Sequence, residues 1–239
     1  SGSLDVKRLV KSDIASRMAH RIPAALFKRL GIKSPVRIAG SSCNSDIPND
    51  IDVYPSVENQ FGHSFREEII KKNCSDIRIL NASSNALTVR YDAYPYPVQF
   101  CSYMHKSLSG LIESFDFSHV QVGIEVSYSD GEYSISDVQF TNAYVNYLLT
   151  RKSRYMGSDY PLSSLIRTLK YYKRGYLDKF DSKLAIISIL TSILDRRFSD
   201  YDDFKDQLSA IDLFLLEDDD HGELRRVALD LYDRLRKNT

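Results

Sequence analysis

The chain has 239 residues, 43% of them hydrophobic and 27% charged, with a formal net charge of zero. That length supports one large domain or two small ones with an ample core. The neutral balance excludes a global electrostatic pull toward long duplex nucleic acid or an anionic membrane.

No apolar run reaches bilayer length and no signal-peptide core opens the chain, so no membrane contact is expected. Ser1-Gly2-Ser3 reads as a cloning remnant and is set aside. The three cysteines, Cys43, Cys74 and Cys101, stand in no metal-ligand spacing. Their odd number argues against a disulfide framework, and a reducing, cytoplasmic setting is expected.

Apolar residues recur at helical spacing through Ile14, Met18, Ile22, Leu26 and Leu30, which predicts a helix over 5–31 that Pro23 kinks or divides and Gly31 ends. A strand follows at 35–39, then a Gly40-Ser41-Ser42 turn, then a second strand at about 50–54. Ser64 with Glu67 three residues on marks a capped helix over 64–72. Strands are expected at 77–80, 86–91 and 98–103, with Tyr94-Pro95-Tyr96-Pro97 as a stiff turn. A short helix over 107–115, a strand over 120–127 and a hairpin turn at Tyr128-Ser129-Asp130-Gly131 come next, leading to a strand at 133–135. Beyond about 139 every segment is helical in period: 140–151, 161–176, 182–197, 201–216 and 222–236. The acid run Glu217-Asp218-Asp219-Asp220 reads as a solvated loop between helices.

Chemistry concentrates early in the chain. Strand side chains alternate faces, so Asp50 and Asp52 point the same way while Ile51 and Val53 point into a core. Two adjacent carboxylates on a rigid strand repel unless a cation lies between them, and a hard divalent ion with oxygen ligands suits the gap. The Gly40-Ser41-Ser42 turn supplies the complement: glycine admits close approach, and turn N–H groups with hydroxyls hold an anion.

This pattern resembles the DNA polymerase β-like nucleotidyltransferase superfamily, whose signature is a Gly-Gly or Gly-Ser after an apolar segment, a short spacer, and an apolar-framed Asp-x-Asp. The resemblance implies an α+β fold: a nucleotidyltransferase palm over 1–138, a mixed sheet with flanking helices, and an all-helical C-terminal domain over 139–239. It implies Mg²⁺ or Mn²⁺ on Asp50 and Asp52, and Gly40, Ser41 and Ser42 on the triphosphate. A narrower resemblance covers about 36–176, to phage, giant-virus and microbial nucleotidyltransferase-like proteins. It rests on Pro97-Val98-Gln99-Phe100, on Phe115-Asp116-Phe117 with Gln121-Val122, and on Lys170-Tyr171-Tyr172-Lys173-Arg174-Gly175-Tyr176.

The superfamily generally adds a third acid on a neighbouring strand. The strand around Gln99 has the apolar frame for that acid but carries an amide. Asp116 is ranked first as third catalytic and metal-binding acid, Asp92 second, and an incomplete set stays open. Lys170, Lys173 and Arg174, interleaved with tyrosines, suit a triphosphate or a single strand, since cations hold phosphate and rings stack on bases; the alternative is a solvated helix face. The histidines show no metal-ligand pattern, though His119 is close enough to Asp116 in sequence to line the cleft.

The expected activity is metal-dependent transfer of a nucleoside monophosphate from an NTP or dNTP to a hydroxyl, on a nucleic-acid 3′ end or another nucleotide, with release of pyrophosphate. Single-stranded nucleic acid or an oligonucleotide product, and a regulatory protein partner in a phage-defence or toxin–antitoxin system, are expected by analogy. The alternative is a catalytically impaired relative that binds a nucleotide or a partner.

Overall fold

The computed structural model describes residues 2–71, 76–195 and Asp233. The chain divides into two compact units, Ser1–Met156 and Gly157–Thr239. The helices expected at 201–216 and 222–236, the acid run at 217–220 and Cys74 lie outside the described residues.

The first unit is built on one mixed sheet. Its strands are β1 (Val36–Ala39), β2 (Ile51–Pro55), β3 (Ile77–Ala82), β4 (Ala86–Tyr91), β5 (Val98–Cys101), β6 (Val122–Ser129) and β7 (Glu132–Phe140). Their order across the sheet is β3-β4-β5-β2-β1-β6-β7. β2 and β5 run parallel and the other neighbours antiparallel. The helices of this unit are α1 (Gly2–Ala19), α2 (Ala24–Arg29), the four-residue α3 (Ser41–Asn44), α4 (His63–Lys71), α5 (Leu108–Glu113) and α6 (Asn142–Thr150). The protein is therefore α+β, as expected.

Alternation decides which face of the sheet is dry. Ile51 and Val53 of β2, Val98 and Phe100 of β5, and Leu87 and Val89 of β4 are buried. Phe100 is the centre of an aromatic group, with ring centroids 5.1 Å from Phe61, 5.0 Å from Phe65 and 6.5 Å from Phe27. Each such side chain contributes about 1.5–3 kcal/mol on full burial, so this face anchors the sheet. On the opposite face α5 packs Leu108, Leu111 and Ile112 on Ala39, with Tyr54 of β2 and Phe115 against them. That packing requires Gly123: a Cβ there would meet Leu108 Cδ1 at 2.9 Å and Ala39 Cβ at 3.0 Å.

Several boundaries differ from expectation for local reasons. Pro23 divides the first helix outright, because its ring removes a donor and clashes with the preceding turn. The expected strand at 120–127 starts two residues later, since Ser118–Val120 forms a 3₁₀ turn. Strand β7 reaches Phe140, and α6 begins only after Thr141, whose hydroxyl accepts the N–H of Tyr144 as an N-cap. Likewise Ser107 caps α5 by accepting the N–H of Gly110.

In the second unit the described helices are α7 (Pro161–Lys173) and α8 (Lys179–Asp195). Proline fits the first turn of α7, where its missing N–H costs nothing. Pro161, Ser164, Thr168 and Tyr171 form its buried stripe. Gly175, at φ 84°, ends the segment, as Gly31 at φ 68° does after α2. Among the described residues no helix is long and apolar enough to cross a membrane.

Candidate active site

The site grows from the β1–α3–β2 corner. Gly40 leaves β1 at φ 85°, ψ −145°, a conformation open essentially to glycine. A Cβ at Gly40 would meet only Phe115 Cε2, at 3.7 Å, so the backbone and not the space demands glycine. The turn expected at Ser41-Ser42 is in fact the single helical turn α3. It is too short for periodicity to reveal.

Ser42 is fully buried and ties this turn to the acid strand. Its Oγ accepts the backbone N–H of Asp52 at 2.9 Å and lies 3.5 Å from the carbonyl of Asp50. Asp50 is 6% exposed and Asp52 half-buried. Asp50 Oδ2 and Asp52 Oδ1 are both withdrawn from solvent. Gly40, Ser41, Ser42, Asp50 and Asp52 thus converge in one corner, with Ile51 and Val53 buried between and beyond the acids.

Two arginines brace the corner from behind, and the sequence reading missed both. Arg21, 8% exposed, donates to the carbonyls of Ser42 at 3.0 Å, Ser45 at 2.5 Å and Asp46 at 2.5 Å. Arg17 donates to the Cys43 carbonyl at 2.8 Å. A cation at the C-terminal carbonyls of a helical turn satisfies acceptors that the turn cannot. No local motif marks either arginine, because the carbonyls they hold lie more than twenty residues away, although Arg17 also pairs with Asp13 one turn back at 2.7 Å. Between them Cys43 is buried, and burial pushes its thiol up to about 12 against the opposing pull of Arg21 and Arg17. Cys43 is therefore a packing residue and no nucleophile. Tyr144, whose hydroxyl meets Asn44 Oδ1 at 3.2 Å, is likewise pushed up to about 12 by burial.

The candidates for a third acid fall in different places. Gln99 stands directly beside Asp52 in the parallel register of β2 and β5, and it is half-buried like Asp52. Asp116 is 6% exposed, in a segment that pairs with 153–156 through the Met156 N–H to the Asp116 carbonyl at 2.7 Å and a bridge between Phe117 and Tyr155. Its neighbour Phe115 packs on Tyr54, with centroids 5.9 Å apart. Asp92 is exposed in the turn after β4. Among the described residues no three of His, Cys, Asp and Glu gather into a set that could hold a metal ion, so Asp116 is not brought together with Asp50 and Asp52 as a triad. His119 is buried, its Nδ1 2.6 Å from Ser153 Oγ, in a structural role.

Lys170, Lys173 and Arg174 belong to the second unit. Lys173 and Arg174 are exposed at the end of α7, and Lys170 Nζ lies 5.6 Å from the centroid of the Tyr171 ring. Tyr171 is buried against Tyr176 in an edge-on contact, so these rings serve packing as well as any ligand.

The fold and the corner define an α+β protein with a glycine–serine turn bonded to a paired-carboxylate strand. No family model matches the chain, and no curated protein does. Among solved structures it is similar to a Thermotoga maritima CCA-adding enzyme complexed with tRNA, at 13% identity over 93% of this chain and 55% of that one, TM-score 0.49. It is also similar to a CCA-adding enzyme with ATP, at 10% identity over 82% and 49%, TM-score 0.48. An apo CCA-adding enzyme matches at 10% identity over 77% and 47%, TM-score 0.49. The chain spans about half the length of these structures.

Proposed function

We propose that the protein is a nucleotidyltransferase of the polymerase β-like kind, moving a nucleoside monophosphate from a triphosphate to a hydroxyl. In that reaction the acceptor oxygen bonds to the α-phosphorus, the bond to the β-phosphate oxygen breaks, and pyrophosphate and a proton leave. The observation that carries the reading is the Ser42 Oγ bond to the Asp52 N–H, at 2.9 Å. It fixes an anion-binding turn against two carboxylates, the pairing this chemistry requires.

The donor set fits a hard cation: carboxylate oxygens of Asp50 and Asp52, two of them withdrawn from solvent, with the Gln99 amide oxygen alongside. A bound Mg²⁺ or Mn²⁺ would supply neutralisation of the triphosphate charge there. Asp50 and Asp52 would hold it, while the backbone after Gly40 and the hydroxyl of Ser41 orient the phosphates. Lys170, Lys173 and Arg174, in the second unit, are proposed to bind phosphate. Functionally the palm covers 1–138 and the helical part begins at 139, although α6 belongs to the first compact unit.

Gln99 favours a second reading, because a neutral amide occupies the place beside Asp52 where an acid is expected. That reading is a module that binds nucleotide with metal but transfers nothing.

One experiment decides between them. The protein is incubated with each labelled NTP and dNTP plus Mg²⁺ or Mn²⁺, alone and with a short oligonucleotide, and products are resolved by size. Transfer that falls at least about 100-fold in the Asp50→Asn, Asp52→Asn double variant, with its thermal midpoint retained, supports the enzyme. A metal-dependent triphosphate thermal shift without product supports the binding module. Full turnover in the double variant removes the assignment.

A further inference from the structure

The link between α1 and α2 and the turn between β4 and β5 meet beside the acid corner. Pro23 breaks the helical path, so the carbonyl of Arg21 falls in the gap, outside both helices. The Tyr94 hydroxyl donates to that carbonyl. From the same residue, the guanidinium donates to the carbonyls of Ser42, Ser45 and Asp46. Arg21 therefore joins Tyr94, on its main-chain side, to the α3 turn on its side-chain side.

The turn that carries Tyr94 has a second attachment. Its last residue, Pro97, is buried, and the Pro97 carbonyl accepts the N–H of Ile51 at 2.9 Å. Ile51 stands between Asp50 and Asp52, and the Asp52 N–H goes to Ser42 Oγ at 2.9 Å. The contacts close a ring: Tyr94 to Arg21, Arg21 to the α3 turn, Ser42 to Asp52, and Ile51 back to Pro97. Inside the turn the Tyr94 N–H bonds the Tyr91 carbonyl at 3.0 Å, and Pro95 and Pro97 each fix a backbone torsion. The Tyr96 ring packs edge-on against Tyr94, with centroids 5.8 Å apart. Such a stiff turn transmits a displacement that a glycine-rich one would absorb. Burial raises the Tyr94 phenol above its ordinary value, so it stays a donor across neutral and mildly alkaline pH.

A carboxylate pair serves a cation only at a fixed separation, and the groups behind the ligands commonly matter about 10–100-fold. We infer that Tyr94 and Arg21 are positioning residues for Asp50 and Asp52. The Tyr94–Pro97 turn, acting through Arg21 on one side and Ile51 on the other, sets the α3 turn against the acid strand. This rests on the transferase reading and gives that site its outer support. The motif Tyr94-Pro95-Tyr96-Pro97 thereby acquires a role in the chemistry beyond reversing the chain.

The test compares backbone amide exchange, read by NMR on the full chain, in wild type, Tyr94→Phe and Arg21→Lys. The first variant keeps the ring and removes only the hydroxyl; the second keeps the charge and removes the fork. In both, the Asp52 amide should exchange about tenfold faster, with the β6–β7 amides unchanged as internal reference. In transfer assays the Mg²⁺ concentration for half-maximal rate should rise about tenfold, and excess Mg²⁺ should restore most of the rate. Wild-type exchange at Asp52 in Tyr94→Phe overturns the proposal. So does equal acceleration in the β6–β7 ladder, which would make both residues general stabilisers. An unchanged Mg²⁺ requirement in variants that transfer also overturns it. If wild type transfers nothing while the Asp52 amide still responds to both variants, the transferase reading fails and the positioning of the acid strand stands.

Discussion

The two ends of one sheet face are built on opposite principles. At β1–α3–β2 the turn beside the acids is braced: Ser42 to Asp52, Arg21 to three carbonyls, Arg17 to a fourth. At the β3–β4 edge Arg78 and Arg90 face each other with no such bracing among the described residues. Chemistry on a reacting phosphorus demands fixed geometry, because small displacements forfeit most of the rate. A charged pair at a sheet edge tolerates mobile side chains. The contrast separates a place where substitutions destabilise the fold from one where they leave it intact.

The sharpest break of that contrast is at Gly40. Its φ of 85° with ψ −145° lies where a side chain is strained, so Gly40→Ala should lose about 1–3 kcal/mol in urea melts. Transfer activity should fall further than stability alone explains, because the turn would relax away from the acids. Ser42→Ala comes next. It leaves the Asp52 N–H without its acceptor beside a buried side chain, a cost of about 1–3 kcal/mol. Arg78→Gln with Arg90→Gln should leave the melt unchanged within about 0.5 kcal/mol. Equal losses at both ends would dissolve the distinction.

How much of this could be read in advance depends on the distance over which each feature is decided. The strand at 86–91 was legible residue for residue, because alternation and flanking turns are local. So was the frame of the acid pair, where Ile51 and Val53 are buried and Asp52 half-open. Helix α3 was not: a four-residue helix has no period to detect. The Gln99 strand was expected beside the acids through the resemblance alone; its register with Asp52 is set by a parallel pairing between strands joined by a long excursion through α4, β3 and β4. Strand-internal pattern carries no information about which strand lies next door. Arg21 and the Arg78–Arg90 rung are of the same kind, ordinary arginines until the chain brings distant partners to them.

The last effect probes how dry the braced corner is. Cys43 and Tyr144 are both raised to about 12 by burial, from ordinary values of 9.0 and 10.0. A raised acid pKa means the folded state holds its proton where the unfolded chain releases it. Stability is therefore intact below pH 9 and falls as pH climbs from 9 toward 12. Each group contributes a slope of about 1.4 kcal/mol per pH unit inside its own window. Other groups titrate there too, so the informative quantity is the difference between wild type and Cys43→Ala in urea melts at each pH. That difference should stay constant below pH 9 and shift against wild type above it, steadily, up to pH 10.5 or so. Parallel curves would mean that water reaches the Cys43 thiol. The corner would then be no better sealed than the arginine edge, and the contrast between the two ends of the sheet would be lost.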